Sequence, residues 1–170
     1  MKWSDGVPLK ADDVIFTFKY FIMNPVARGN SVDRFTIEGQ PIEWVKVDDS
    51  TVKAILPAPY AAFFTVLSHA YIYPSHALDD KIDKDRPDSV NDLWLTNTPP
   101  SEIPANGPFV LSEYIIDQKV VMTKNPNYWK VDSYGNKLPY VDKLEYVIVS
   151  DAQVRLAKFM AGELDYMAVS

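Results

Sequence analysis

The chain has 170 residues, a net charge of −6 and a pI of about 4.8. Its 47% apolar and 24% charged residues are typical of a globular domain and argue against a disordered chain or a membrane-spanning helix. The acidic charge would repel phosphate backbones, so we expect no nucleic-acid partner. The sequence has no cysteine, which excludes disulfides and cysteine-ligated zinc. The first six residues contain no apolar segment of the kind that a signal peptide needs, and we expect the chain to be an internal part of a longer polypeptide.

The first predicted element is a helix over residues 11–23. Asp12 and Asp13 lie in its first turn, where carboxylates complement the positive end of the helix dipole, and Asn24-Pro25 ends it. The apolar face is predicted from Val14, Ile15, Phe18, Phe21 and Ile22, with Phe16 and Tyr20 off that face. Because the helix is apolar nearly all round, we expect it to be buried on two sides.

Residues 43–56 predict a β-hairpin with one buried face, in which the two strands flank Asp48-Asp49-Ser50. The alternating apolar positions are Val45 and Val47 on one strand and Val52, Ala54 and Leu56 on the other. A short helix is predicted over residues 60–67, with Tyr60, Phe63, Phe64 and Leu67 on one face. Ser75 is the predicted cap of a turn of helix. Residues 79–105 are polar and contain several prolines, which predicts a surface excursion and a boundary between two lobes.

The second half predicts strands over residues 108–114, 119–124 and 144–149, the last covered on both faces. Asp151 is the predicted N-cap of a helix over residues 152–161, and Gly162 fits its C′ position. The inward face of this helix is predicted from Ala152, Leu156, Phe159 and Met160. A last strand over residues 164–169 would complete a βαβ unit with a parallel, right-handed pair of strands.

No arrangement of residues in the sequence points to catalysis or to a metal site. His69 and His76 are seven positions apart in separate local elements, which disfavours a shared metal ion. The adjacent acids Asp12-Asp13, Asp48-Asp49 and Asp79-Asp80 do not by adjacency face each other across a cleft, as glycosidase carboxylates must. The sequence also lacks a glycine-rich phosphate loop, a nucleophile elbow and a zinc-protease motif. We therefore predict no catalytic residue, no metal and no cofactor.

The aromatic residues allow two interpretations. Trp3, Trp44, Trp94 and Trp129, together with ten tyrosines, could form stacking platforms for sugars or peptides, or they could anchor the core and the lobe interface. Core anchoring is the favoured interpretation for any single residue.

Seven segments in order carry a family resemblance over essentially the whole chain. They are residues 2–18 (KWSDGVPLKADDVIFTF), 45–52 (VKVDDSTV), 59–63 (PYAAF), 106–111 (NGPFVL), 124–129 (KNPNYW), 138–144 (LPYVDKL), and Asp151 through Arg155 to residues 162–165 (GELD). Their order and spacing resemble the family 5 extracellular solute-binding proteins, the peptide, nickel and oligosaccharide receptors of bacterial ABC importers. Two departures are Lys10, where the family usually has a Thr or Ser helix cap, and Ala105-Asn106, which replaces a common Gly-Thr.

The resemblance implies a mixed α/β (α+β) fold, a fragment of the periplasmic-binding-protein type II, cluster C, with a mixed sheet and flanking helices. Residues 1–104 would form the accessory subdomain of the first lobe and residues 105–170 part of its main subdomain, with the second lobe absent. In similar proteins the segment just after the GELD strand forms the cleft wall. The implied ligand-binding residues are therefore Met167, Ala168, Val169 and Ser170.

The resemblance also implies the function of a non-enzymatic substrate-binding component of an ABC importer. Such a protein captures a solute, most often an oligopeptide and next an oligosaccharide, in the periplasm or at the outer face of the cell membrane. Its partners would be the solute and the permease subunits, with membrane contact only through the permease or a lipid anchor. The alternative is a carbohydrate-active enzyme or a sugar-binding module, which two carboxylates facing each other across a pocket would support.

Overall fold

The structure, a computed structural model, describes residues 1–168. Its first half contains α1 (Ala11–Thr17), a π-helical turn (Phe18–Ile22), β1 (Thr36–Ile37), β2 (Gln40–Pro41), β3 (Glu43–Lys46), β4 (Val52–Ile55), α2 (Phe63–Leu67) and α3 (Ser75–Leu78). Short 3-10 helices cover Val32–Phe35, Asp79–Lys81, Pro87–Asp92 and Pro100–Glu102. The second half contains β5 (Phe109–Ile115), β6 (Lys119–Lys124), β7 (Lys143–Val147) and α4 (Ala152–Met160). No helix within residues 1–168 has both the length and the apolar character needed to cross a membrane.

The first helix lies between two apolar clusters, which confirms its predicted burial on two sides. The first cluster contains Phe16, Ala27, Leu78, Ile82 and Val90. The second cluster contains Phe18, Ile22, Phe35 and Ile42. Phe16 and Phe18 are only 6% and 2% exposed, although they are two positions apart. The helix therefore belongs to both clusters at once.

Two residues of this helix, Phe21 and Ile15, do not lie on the predicted apolar face. Phe21 packs against the first cluster, beside Phe16, and not on the face of Phe18. The cause is the π-helical turn, in which the Met23 N–H donates to the Phe18 carbonyl at 2.9 Å. The wider turn rotates Phe21 further away from Phe18 than a regular α-helix would. Ile15 lines a surface cavity beside Phe16 and is not part of the second cluster.

The hairpin forms between β3 and β4 as predicted, and the predicted inward face of β4 is confirmed, but β3 turns a different face inward. Trp44 and Ala54 are paired across the two strands and pack on the second cluster together with Leu56, whereas Val47 is 61% exposed. Trp44 stacks on Phe18 with ring centroids 3.6 Å apart. Burying an indole removes more apolar area from water than burying a valine, so the tryptophan decides which face turns inward.

The helix predicted over residues 60–67 begins only at Phe63. Phe63 and Leu67 pack on the second cluster, as does Tyr60 from the preceding turn. Phe64, predicted on the same face, is instead 79% exposed. It follows Phe63 directly and so lies about 100° round the helix from it.

Part of the segment predicted as a surface excursion belongs to the core. Ile82 and Val90 are 7% and 5% exposed and pack in the first cluster. The Ser89 hydroxyl holds the intervening loop, since it accepts from the Asp83 N–H and donates to the Asp83 carbonyl, both at 3.1 Å. Two aliphatic residues at irregular spacing carry no periodic signal, so the sequence alone did not identify them.

The second half forms an antiparallel sheet with the strand order β5-β6-β7, and the predicted parallel βαβ unit is absent from residues 1–168. The loop over residues 125–142 returns the chain antiparallel beside β6, and the Lys124 N–H donates to the Asp142 carbonyl at 2.8 Å. Within the described residues β7 pairs only with β6, and residues 164–168 form no strand. Consequently β7 is exposed at four of its five positions and is not covered on both faces.

The two predicted ends of α4 are confirmed, although its predicted inward face is wrong. The Asp151 carboxylate accepts from the Gln153 and Val154 N–H groups at 2.8 and 2.9 Å. Gly162 has φ +75°, and the N–H groups of residues 162 and 163 donate to carbonyls of the last turn at 3.0 and 2.9 Å, as in a Schellman motif. Leu156 and Phe159 are nevertheless each 42% exposed, and neither belongs to the two apolar clusters within residues 1–168.

The stacked pair of Phe18 and Trp44 predicts a large loss of stability on truncation. We expect Phe18→Ala to lower the free energy of unfolding by about 3–5 kcal/mol, through lost burial and the cavity left behind. Phe64→Ala is the matched control, since Phe64 is 79% exposed, and it should cost less than about 1 kcal/mol. Denaturant unfolding of both variants measures the difference. Similar losses in the two variants would contradict the packing described above.

Candidate functional site

Four hydrogen bonds converge on the carboxylate of Asp13, which is 3% exposed. Its Oδ2 accepts from Trp3 Nε1 at 3.1 Å and from the Lys10 N–H at 2.9 Å. Its Oδ1 accepts from the Ser75 N–H at 2.8 Å and from the Ser75 hydroxyl at 2.6 Å. The sequence predicts only a helix-dipole role for Asp13 and a capping role for Ser75. The structure instead uses both to join the N-terminal turn, α1 and α3.

Thr17 continues this connection one turn along the helix. It is fully buried, and its hydroxyl donates to the Asp13 carbonyl at 2.7 Å while accepting from the Tyr73 N–H at 2.8 Å. Residues 73–75 are thereby held against α1 at two successive turns. We call Trp3, Asp13, Thr17 and Ser75 the Asp13 hub.

The start of α1 also meets the turn of the β3–β4 hairpin. The Ala11 N–H donates to the Asp49 carbonyl at 2.9 Å, which supplies the helix cap that Lys10 lacks. Lys10 Nζ lies 2.8 Å from the Asp49 carboxylate, and Lys46 Nζ lies 2.7 Å from Asp12 and 3.0 Å from Asp49. Hydrogen bonds from Lys10, the larger contribution, and from Lys46 lower the pKa of Asp49 to about 2, and the attraction of the two positive charges adds to this effect.

Asn125 joins the two halves of the chain at the predicted boundary. Its side chain is 2% exposed, and its Nδ2 donates to the Gly107 and Ala105 carbonyls at 2.8 and 3.3 Å. The Ser4 N–H donates to the same Ala105 carbonyl at 2.8 Å, and Asn127 Nδ2 donates to the Ser4 carbonyl at 3.1 Å. In the sequence this stretch stands out only as one segment of the family resemblance, residues 124–129, so this connection was missed. No local pattern signals partners more than 100 positions away.

The predicted ligand-binding residues lie at the end of the described chain. Met167 is half-buried and Ala168 is exposed, and both follow α4 in an irregular segment. Val169 and Ser170 lie outside the described residues. A role for these four residues in ligand binding therefore stays a prediction.

Exposed apolar side chains are frequent in the elements that lead to this end of the chain. They are 42–82% exposed and comprise Tyr146, Val147, Ile148, Val154, Leu156, Phe159, Met160 and Tyr166. We call them the terminal apolar residues. Exposed apolar side chains in such numbers, beside a strand with one unpaired edge, are characteristic of a surface that packs against another element.

Most of the acids and histidines that were weighed as candidate sites have structural partners. Examples are Asp48 with the Ser50 N–H (2.7 Å), Asp79 with Lys84 (3.2 Å), His76 with Asp5 (2.7 Å) and His69 with the Thr65 carbonyl (2.8 Å). In the part of the chain that the structure describes, no group of three or more histidine, aspartate or glutamate side chains is placed to hold a metal ion.

Comparison with known proteins gives a consistent family assignment. The family described as "Bacterial extracellular solute-binding proteins, family 5 Middle" matches residues 1–170. A "Probable ABC transporter-binding protein" of Deinococcus radiodurans is 36% identical over 168 residues, covering 97% of this chain and 28% of that protein. A dipeptide-binding protein of Bacillus subtilis is 27% identical, covering 96% of this chain and 30% of that protein.

A solved structure gives the same result for the fold. A periplasmic binding protein of Agrobacterium fabrum in complex with stachyose matches with a TM-score of 0.77 and 28% identity, over 95% of this chain and 25% of that chain. The predicted periplasmic-binding-protein-like fold is therefore confirmed. The chain spans between 25% and 30% of the length of these three proteins.

The hydrogen bonds to Asp13 predict a strong dependence of stability on this carboxylate. Asp13→Ala leaves four donors without a partner, and we expect a loss of about 3–5 kcal/mol in the free energy of unfolding. Asp13→Asn retains one acceptor oxygen and should fall between the wild type and the alanine variant. Asp12→Ala, at the neighbouring exposed acid, is the control and should cost much less. Denaturant unfolding gives all three values, and equal losses at positions 12 and 13 would refute the hub.

The ion pairs of Asp49 predict a specific pH dependence. Its folded-state pKa of about 2 lies below the ordinary value of 3.8, so the pairs stabilise the fold above about pH 4 and lose this effect as the pH falls through the folded pKa. Lys10→Met should raise the Asp49 pKa towards 3.8, whereas Lys53→Met, on the opposite strand, should leave it unchanged. Carboxyl NMR titration measures both. An unshifted pKa in Lys10→Met would contradict the assignment.

Proposed function

This chain belongs to the bacterial extracellular solute-binding proteins of family 5, and on that premise we propose that it forms part of a receptor that captures a solute for an ABC importer. The observation that carries the proposal is the family match over all 170 residues, together with a relative named as an ABC transporter-binding protein. Capture would take place outside the cytoplasm, and the permease subunits would receive the solute.

We infer that the solute is an oligopeptide, with an oligosaccharide as the next candidate class. The names of the compared proteins include a dipeptide-binding protein and a complex with stachyose. Sugars are commonly bound by exposed aromatic faces, but three of the four tryptophans have structural roles here. Trp3 donates to Asp13, Trp44 stacks on Phe18, and Trp94 Nε1 donates to the Glu102 carbonyl at 3.2 Å. Trp129 is 53% exposed, but Lys130 Nζ lies over its ring at 5.4 Å from the centroid. The tryptophans therefore give little support to a sugar-stacking platform, which favours the peptide class.

We assign residues 1–104 to an accessory subdomain and residues 105–170 to part of the main subdomain of the first lobe. The cleft wall would consist of Met167, Ala168, Val169 and Ser170. Support comes from the terminal apolar residues and from the free edge of β7 within the described residues, since both are suited to packing against further strands of the same lobe. The family match over residues 1–170 favours a binding protein over the carbohydrate-active alternative.

The proposal is tested by comparing the full gene product with the 170-residue chain. Native mass spectrometry with an equimolar mixture of short peptides and raffinose-type oligosaccharides would identify the bound class, and calorimetry would give its affinity. We expect the full product to bind a peptide at about micromolar Kd and the 170-residue chain at about millimolar Kd or weaker, since half the contacts would be missing.

A substitution in the proposed cleft wall sharpens this test. Ala168→Trp in the full product should weaken solute binding by about tenfold or more through steric exclusion. Ala61→Trp, at an exposed position before α2, is the matched control and should leave the affinity unchanged. Equal affinities of the full product and the 170-residue chain would overturn the lobe assignment. Release of hydrolysis products would overturn the receptor function.

A further inference from the structure

One peptide bond at the boundary between the two halves of the chain joins an asparagine to a glycine. Asn106-Gly107 is the single Asn-Gly pair in the 170 residues. It arises from one of the two departures from the family pattern, because Asn106 stands where a threonine is common. Glycine has no side chain, so its backbone nitrogen can approach the preceding side-chain amide without steric hindrance. The pair therefore has the covalent structure that favours spontaneous deamidation.

Deamidation at this pair needs no reactant except water. The Gly107 nitrogen attacks Asn106 Cγ, a new C–N bond closes a five-membered succinimide ring, and the Cγ–Nδ2 bond breaks. The proton of the Gly107 N–H leaves with the side-chain nitrogen as ammonia. Water then opens the ring at one of its two carbonyls, which leaves either aspartate or isoaspartate at position 106. The isoaspartate product carries one additional carbon in the main chain.

The surroundings of the pair leave room for this reaction. Asn106 and Gly107 are each half-buried. Apart from the adjacent residues, no atom lies within 4 Å of the position that a Cβ of residue 107 would occupy. Within residues 1–168 the Gly107 N–H donates to no acceptor. The attacking nitrogen is therefore not engaged in a hydrogen bond, and the glycine is open on the side where a side chain would stand.

The carbonyl groups on both sides of the pair are nevertheless held in place. Asn125 is 2% exposed, and its Nδ2 donates to the Gly107 carbonyl at 2.8 Å and to the Ala105 carbonyl at 3.3 Å. The Asn125 N–H donates to the Pro108 carbonyl at 2.9 Å. We call these three bonds the Asn125 junction. Ring closure rotates the peptide unit between residues 106 and 107, which lies between two carbonyls that a single side-chain amide holds.

We propose that Asn106 is a deamidation site whose reaction is controlled by the Asn125 junction. While the junction is closed, the peptide unit is held and the reaction is slow, and each local opening allows it to proceed. Once isoaspartate has formed, the additional main-chain carbon separates the Ala105 and Gly107 carbonyls, and Asn125 Nδ2 no longer reaches both. The modification thereby keeps the junction open and weakens the connection between the two halves of the chain. This inference does not depend on the proposed solute capture.

The test follows deamidation in the 170-residue chain during incubation at mildly alkaline pH. Mass spectrometry of the peptide that contains residues 105–108 gives the converted fraction, and enzymatic methylation of isoaspartate identifies the product. We expect Asn125→Ala to accelerate conversion at Asn106 by about tenfold or more, since it removes the two side-chain hydrogen bonds that oppose opening. Asn125→Asp, which keeps the acceptor for the Asn127 N–H but lacks the Nδ2 donor, is the milder variant and should also accelerate it. Adding Gly107→Ala to either variant should slow conversion severalfold, because a methyl group hinders the attacking nitrogen.

Asn136→Ala is the matched control, since it removes an asparagine of the second half that bonds to Asp132 at 2.9 Å and lies outside the junction. It should change the rate at Asn106 by less than about twofold. Amide NMR spectra establish that each variant is folded. Conversion at Asn30, which precedes a serine, shows in the same samples whether the whole chain has loosened, and it should not change. Conversion at Asn106 that is no faster in the Asn125 variants than in the wild type, an equal acceleration in Asn136→Ala, or an equal acceleration at Asn30 would each overturn the proposal.

Discussion

The buried carboxylate of Asp13 is the constraint on which the first half of the molecule depends. A carboxylate removed from water must be fully hydrogen-bonded, or its burial costs several kcal/mol. Asp13 meets this requirement with donors from Trp3, Lys10 and Ser75, which belong to three separate stretches of chain. The four hydrogen bonds connect these stretches at the start of α1, which lies between the two apolar clusters.

Three consecutive residues of the helix contact three different parts of the fold. Phe16 packs in the first cluster, the Thr17 hydroxyl contacts residues 13 and 73, and Phe18 packs in the second cluster. The π-helical turn that follows directs Phe21 towards Tyr73, and the two rings stack with centroids 4.1 Å apart. A small change in helical winding thus decides that Phe21 packs on the first cluster.

Most features that were correctly predicted from the sequence depend on residues close together in the chain. The Asp151 cap and the Gly162 C′ position depend on a few neighbouring residues, and the family motifs identified the fold because their order extends along the whole chain. The wrongly predicted features depend on residues far apart in the chain. The inward face of β3 is decided by the stacking of Trp44 on Phe18. The antiparallel pairing of β7 with β6 is decided by the loop that precedes β7. The candidate cleft wall was assigned by resemblance alone.

The contacts of Ser4 have a consequence for folding during synthesis. The bond from Asn127 Nδ2 to Ser4 spans 123 positions, and that from the Ala105 N–H to the Ser4 hydroxyl spans 101. Ribosomes add roughly 5–20 residues per second, so these partners emerge many seconds after the N-terminal turn. Closing such long loops also slows folding, because the entropy is lost before the contacts form. Ser4, although it is synthesised well before residues 105 and 127, is therefore among the last residues of this chain to reach its final partners.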